Sequence, residues 1–177
     1  YLSIHEYARA RLCGSPKARI ATERRHGDHY AAFGSDAAIR LLSVRGGNAR
    51  LAGLTWEIDN LVSACRRAVA DPRPEVAVHA LAAASQVLGL RGPYALVVDL
   101  SLQVLAMDPL EDRWRARALV TRGVASWHCG LVDAAAGALD QAMVLADVAG
   151  DDDTVALALA QRGWVHYLQG DMAAGAD

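Results

Sequence analysis

A block of thirteen residues occurs twice in the C-terminal half of the chain, with an offset of 40 residues. Residues 118–130 read ALVTRGVASWHCG and residues 158–170 read ALAQRGWVHYLQG. A glycine inside a helix costs about 1 kcal/mol relative to alanine. Two such glycines at the same phase, Gly123 and Gly163, predict places where a second helix backbone comes close. A period of this length is typical of stacked helical hairpins, which usually bind other proteins.

The composition favours closely packed helices. The 177 residues are 53% hydrophobic and 21% charged, as in a folded domain, and they include 36 alanines but a single phenylalanine. Apolar residues recur at helical spacing, and no period-2 strand pattern is present. We therefore predict an all-α fold of about ten helices, arranged as a right-handed superhelical stack of antiparallel hairpins. The predicted helices cover residues 2–12, 16–33, 36–44, 49–70, 75–90, 93–107, 110–128, 131–149, 153–169 and 171 onward.

A weaker copy of the block extends the repeat toward the N-terminus. Ala80-Leu81 and Gly92 precede Ala118-Leu119 and Gly130 by 38 residues. This predicts repeat units at about 75–109, 110–150 and 151–177, the last of them truncated. Residues 1–70 lack the repeat, and we expect them to link the hairpins to an upstream module of a larger protein.

The repeat residues resemble the tetratricopeptide pattern. In that pattern a small residue on the first helix is followed by a turn glycine and then by small residues on the second helix. The matching positions are Gly123, Gly130, Ala135 and Ala142, with Leu119 and Leu139 as the larger apolar residues. The resemblance implies a tetratricopeptide-like stack with a period longer than usual, in which Gly123, Gly130, Gly163 and Gly170 serve structural packing.

Three motifs in the N-terminal part resemble the region that follows the nucleotide-binding module in bacterial STAND-class signalling ATPases. They are Tyr7-Ala8…Leu12, Arg24-Arg25-His26…Tyr30, and Glu57-x-Asp59-Asn60-Leu61-x-x-Ala64. The resemblance implies the helical arm of a multidomain signalling or transcription-regulatory ATPase. No GxxxxGK[ST] motif occurs, so we expect no P-loop here.

Charge is distributed unevenly along the chain. Residues 1–50 carry nine Lys or Arg against four Asp or Glu, whereas residues 51–177 carry nine against sixteen. A basic segment of this kind is compatible with nucleic-acid binding through Lys17, Arg19, Arg24 and Arg25, but a solvated helix surface is the simpler interpretation.

The cysteines and the hydropathy pattern favour a cytoplasmic location. Cys13, Cys65 and Cys129 are far apart and odd in number, which predicts small core residues in a reducing compartment. No signal peptide or apolar run long enough to span a bilayer is present. We therefore expect a cytoplasmic protein that does not contact membranes.

Four polar clusters could suggest chemistry, and each has a simpler structural interpretation. His26 and His29 share a helix face but lack further metal ligands, so no metal or other cofactor is predicted. Glu57 and Asp59 point to different helix faces, and Asn60 is better explained as a tether to a neighbouring segment. The acids at 151–153 suit a helix cap.

His128 and Cys129 are the fourth cluster. As adjacent helical residues they diverge by about 100°, which is poor geometry for proton transfer. We therefore predict no catalytic residue and no enzyme activity.

The remaining candidates lie on the first helix of each hairpin, because these helices line the concave side of such stacks. Trp, Tyr and Arg are the residue types most enriched at binding hot spots. The predicted partner-binding residues are Gln86, Arg117, Trp127, His128, Trp164 and Tyr167. Trp164 is the preferred one because its counterpart is the much smaller Val124, whereas Trp127 and Tyr167 could equally fill the space between hairpins.

These features predict a protein-interaction, scaffold or sensor module, whose partner is another protein, a peptide or the protein's own upstream module. A helical domain that senses a small inducer is the alternative. A closed apolar cavity would favour the small ligand, and an open groove would favour a peptide. Oligomeric state is left open by the sequence.

Overall fold

The computed structural model describes residues 6–7 and 14–170. Over these residues the chain is helical and contains no strand, which confirms the predicted all-α class. A short 3₁₀ helix, Ala32–Gly34, follows the first of nine α-helices in this part of the chain. They are α1 (Pro16–Ala31), α2 (Asp36–Arg40), α3 (Gly47–Trp56), α4 (Ile58–Ala70), α5 (Pro74–Arg91), α6 (Tyr94–Leu105), α7 (Asp112–His128), α8 (Val132–Val148) and α9 (Asp152–Gln169).

Side-chain caps begin three of these helices. Ser15, Ser35 and Asp151 each accept a hydrogen bond from the backbone N–H three residues later, and so satisfy a donor that the first helical turn leaves without a partner. The acids at 151–153 therefore act as a helix start, as predicted.

Two helical hairpins and the first helix of a third form the C-terminal part. α5 packs against α6 and α7 against α8, while α7 also packs against α5, α6 and α9. Gly123 permits a close approach of α7 and α8, because a Cβ atom there would lie 2.7 Å from Cγ of Leu139 on α8. The first helices α5, α7 and α9 are thus neighbours, as expected for stacked hairpins. The helix predicted from residue 171, Cys13 and most of the helix predicted at 2–12 lie outside the described residues.

The N-terminal helices are shorter than predicted. The helix expected at 49–70 is two helices, α3 and α4, which meet at Glu57, where the backbone has φ −100° and ψ 6°. The helix expected at 36–44 ends at Arg40. Gly34 joins this part to the hairpins, because the backbone of α5 at His79 lies where its Cβ would be.

The core follows the hairpins from α4 to α9. Its largest completely buried side chains include Leu61, Leu81, Leu100 and Leu139. Cys65 is buried among them, as predicted for a small core residue. The same prediction is wrong for Cys129, which is exposed because it lies in the turn after α7.

Candidate functional site

The first helices α5, α7 and α9 line an open depression, which we call the trough. Two cavities of about 340 and 420 Å³ lie along it. The cavities form one continuous depression, because they share Ile39, Ser85, Gln86, Val120, Thr121 and Leu157. Val78 and Ala82 extend the apolar lining at one end, and Val97 and Val124 at the other.

Two amide side chains stand in this apolar lining. Gln86 on α5 and Gln161 on α9 line the trough, and neither makes a hydrogen bond within the described part of the chain. The hydroxyls of Ser85 and Thr121 instead donate to carbonyls of their own helices. The two amides therefore offer donors and acceptors to a bound molecule.

A charged clamp closes one end of the trough. The Arg117 guanidinium donates from both terminal nitrogens to the Asp36 carboxylate, at 2.9 and 3.0 Å, and from Nε to Asp151 at 2.8 Å. The Arg117 side chain is 12% exposed and that of Asp151 is 8% exposed. The clamp joins α2, α7 and the turn before α9.

The clamp keeps Arg117 and Asp151 in their charged forms. Burial acts to raise the pKa of Asp151, but the hydrogen bonds from Arg117 and Thr154 outweigh burial and hold that pKa below its usual value. Burial likewise acts to lower the pKa of Arg117, and the two carboxylates outweigh it and raise that pKa.

Aromatic rings line the other end of the trough. Tyr94 and His128 stack with their ring centroids 4.5 Å apart, and both line the trough. Burial lowers the pKa of His128, so the ring is neutral near pH 7. This end therefore offers a flat, uncharged surface.

The predicted partner-binding residues divide into two groups. Gln86, Arg117 and His128 line the trough. Trp127, Trp164 and Tyr167 do not line either cavity, so the structure places them elsewhere. Trp127 is half-buried against the apolar cluster between α7 and α8, which fits the packing interpretation.

The C-terminal aromatic pair is exposed. The Trp164 and Tyr167 rings meet edge to face, with their centroids 6.1 Å apart, and their side chains are 59% and 56% exposed. Trp164 occupies the position of Val124 in the 40-residue repeat, beyond the stretch of α9 that lines the cavities.

The predicted packing glycines have different roles. Gly123 packs against Leu139, and Gly163 is half-buried. In contrast, Gly130 and Gly170 have φ values of +75° and +80°, and a Cβ atom added at either would have no neighbour within 4 Å. For these two the packing prediction is replaced by a turn role, because a left-handed residue ends each helix.

Asn60 takes part in a polar contact between α1 and the start of α4. Its amide donates to Glu57 Oε2 at 2.8 Å, and Tyr30 Oη donates to the same oxygen at 2.8 Å. His26 Nε2 lies 3.5 Å from the Asn60 Oδ1. Glu57 and His26, which were considered for an acid/base pair and for a metal site, thus form a tether between α1 and α4, and Asp59 and His29 are exposed.

Sequence reasoning missed the contribution of α2 to the trough. Asp36 binds Arg117, and Ile39 lines both cavities, although the two residues lie in the non-repetitive part. No sequence period connects these positions. The repeat did hold a signal for Gln161. This residue occupies the position equivalent to Thr121, directly before the repeated Arg-Gly pair, and the two copies differ there.

Of the four basic residues considered for nucleic-acid binding, Arg19 and Arg24 border a cleft between α1 and α4. Within it Arg24 pairs with Asp71 at 3.6 Å, Arg19 with Glu23 at 3.7 Å, and Arg73 with Asp28. Carboxylates thus neutralise much of the charge on which nucleic-acid binding would depend. In the described residues no three His, Cys, Asp or Glu side chains are grouped to hold a metal ion.

None of the helices that the structure describes combines the length and apolar character needed to cross a membrane. Comparison of the chain with protein-family models, with curated proteins and with solved structures gives no match.

Proposed function

We propose that this chain is a protein-interaction module whose trough holds a peptide segment of a partner protein. The observation that supports this most is the continuity of the trough across three successive first helices, which suits an extended ligand better than a compact one. A groove of this kind recognises a partner through a row of contacts rather than through one deep pocket.

The lining chemistry also suits a peptide. Apolar walls accept aliphatic side chains, while the Gln86 and Gln161 amides can bond to peptide N–H and C=O groups. The charges at the rim are already paired, Arg117 with Asp36 and Arg40 with Asp153. The middle of the trough therefore favours a ligand without charge at that point.

The module would belong to the helical arm of a larger bacterial signalling or regulatory ATPase, acting in the cytoplasm. Two of the three motifs that resemble STAND proteins meet in one tether, through Tyr30, Glu57 and Asn60. Binding in the trough would then bias an on/off equilibrium of the whole protein, provided that the partner prefers one of its states.

Selection of binding peptides from a random library tests the proposal. Val124→Arg places a charge in the apolar lining of the trough. Peptides that bind the wild-type chain should therefore bind this variant at least tenfold more weakly, and a factor of ten corresponds to about 1.4 kcal/mol. The matched control is Val144→Arg, on α8 and 65% exposed. Peptides that bind both folded variants equally would refute the trough as the binding site.

Small-ligand sensing is the second candidate, and the cavity volumes favour it. About 340 and 420 Å³ lie within the range of small-molecule sites, and the lining is mostly apolar with a few polar groups. A small apolar compound that raises Tm in the wild type but not in Gln86→Leu would support it. A library of such compounds that leaves Tm unchanged would argue against it.

A further inference from the structure

Helix α2 lies across one end of the trough and places two side chains in it. Ile39 lines both cavities, and the Asp36 carboxylate binds the terminal nitrogens of Arg117. The two residues are three positions apart, so they lie on one face of a single helical turn. α2 therefore forms part of the wall of the trough and covers the terminal nitrogens of Arg117 as a bound ligand would.

The two carboxylates on Arg117 differ in how firmly they are held. Asp151 is 8% exposed and is fixed by Thr154 as well, whereas the Asp36 side chain is 43% exposed. If Asp36 left, Arg117 would stay paired with Asp151 through Nε. Its two terminal nitrogens would then face the trough, in the fork geometry that matches a carboxylate.

Apart from the packing of Gly34 just before it, little else holds α2 in place. The helix has five residues, none of them buried. Its second ion pair, between Arg40 and Asp153, joins side chains that are 67% and 78% exposed, and such pairs contribute little. A partner segment with the same chemistry could therefore displace it.

We infer that this end of the trough binds a helical turn with an acidic residue followed three positions later by an aliphatic residue, and that α2 is an internal occupant of the same site. The inference rests on the proposed function, and it deepens that function by naming the partner chemistry. The site is free only in the fraction of molecules in which α2 is displaced. The apparent affinity for a partner is therefore lower than the intrinsic affinity, in proportion to that fraction.

A peptide copied from the chain tests the inference directly. The probe is an acetylated, amidated and fluorescently labelled peptide with the sequence of residues 35–46, SDAAIRLLSVRG. The protein variant Asp36→Asn/Ile39→Ala weakens the internal occupant and keeps Arg117 paired with Asp151. Fluorescence anisotropy should show this variant binding the probe at least about tenfold more tightly than the wild type.

Matched controls separate the site from a general loosening of the fold. Asp59→Asn/Ile20→Ala changes an exposed acid and an exposed isoleucine on α4 and α1, and it should bind the probe as weakly as the wild type. A second probe carrying Asp36→Asn and Ile39→Ala should not bind the first variant. These peptide changes leave the protein fold untouched.

Two results would overturn the inference. One is that Asp36→Asn/Ile39→Ala binds the native probe no more tightly than the wild type. The other is that it binds both probes equally.

The outcome for the proposed function is separate. Library peptides that depend on Val124 but lack the acid-to-aliphatic spacing would keep the proposed function and overturn this inference. If the probe binds but the binding of no library peptide depends on Val124, the result would support the inference and count against an extended trough.

Discussion

Before Pro74, polar side chains join α1 to the start of α4, whereas the hairpins after Pro74 meet through small apolar side chains. α1 buries only Gly27 and Ala31, and Tyr30 and His26 connect it to the start of α4 by hydrogen bonds. α5, in contrast, buries nine residues, all of them Val, Ala or Leu. We therefore expect the loss of hydrogen bonds to lower the stability of the first region, and added side-chain atoms to lower the stability of the second.

The two regions also differ in charge. Residues 14–73 carry ten Lys or Arg against six Asp or Glu, and residues 74–170 carry six against eleven. Of the two ion pairs that join the regions, Arg40 with Asp153 follows this pattern, whereas the more buried pair of Asp36 with Arg117 runs against it. Specific geometry rather than bulk attraction therefore positions α2 on the trough.

Gly34→Ala should have the largest effect, because Gly34 is where the two regions join. The added Cβ would lie 1.7 Å from the His79 carbonyl oxygen, and a backbone atom cannot move aside. We expect a loss of about 3 kcal/mol or more in the free energy of unfolding, measured by urea titration. Gly53→Ala, whose added Cβ meets nothing within 4 Å, is the control. Equal stability of the two variants would contradict the close contact at Gly34.

Gly123→Ala tests the steric sensitivity of the hairpins. The added Cβ would lie 2.7 and 2.9 Å from two Leu139 side-chain carbons, which have to shift. We expect a loss of about 1–3 kcal/mol. Gly137→Ala on α8 has open space and should instead gain about 0.5–1 kcal/mol, since alanine favours the helix. Thermal unfolding measures the Tm of both variants. A higher Tm for both would contradict the close packing at Gly123.

Tyr30→Phe tests the polar tether of the N-terminal region. The change removes the hydroxyl that donates to Glu57 and keeps the ring, so we expect Tm to fall by about 2 °C. Tyr94→Phe, in the hairpins, removes a hydroxyl that makes no hydrogen bond in the described residues. An equal fall in Tm for both variants would show that the tether contributes nothing specific.

Lower pH should weaken both regions by a smaller amount. Burial, the largest cause, lowers the pKa of His26, His79 and His128 below the ordinary value of 6.5. Below pH 6.5 the unfolded chain therefore binds more protons than the folded one, and stability is lost as the pH falls toward the lowered pKa values. The urea midpoint should be lower at about pH 5.5 than at about pH 7.5. A midpoint that rises on acidification would contradict the neutral histidines.

The sequence was sufficient for the all-α class, for the helices between Pro74 and Gln169 and for the close approach at Gly123, because periodicity, caps and repeated glycines are local signals. It was insufficient for the break at Glu57, where the apolar pattern continues while the carboxylate bonds to Tyr30 and Asn60. It was also insufficient for the contact between Asp36 and Arg117, which joins residues 81 positions apart without a shared repeat.

Three of the six residues predicted to bind a partner, Gln86, Arg117 and His128, line the trough. Residue type also favoured Trp127, Trp164 and Tyr167, which do not line it. Hot-spot frequencies describe surfaces in general, and they do not say which way a helix is rotated. The rotation of α9 follows from packing, which buries Val165 completely and leaves Trp164 exposed.

The central claim is that α5, α7 and α9 together bind a peptide, while α6 and α8 support them. Hydrogen exchange of the chain with and without a library-selected peptide tests this claim most directly. With the peptide bound, we expect backbone amide exchange to slow in α5, α7 and α9, including the stretch around Gln86, Val124 and Gln161. Slowing confined to the outer helices α6 and α8 would contradict it.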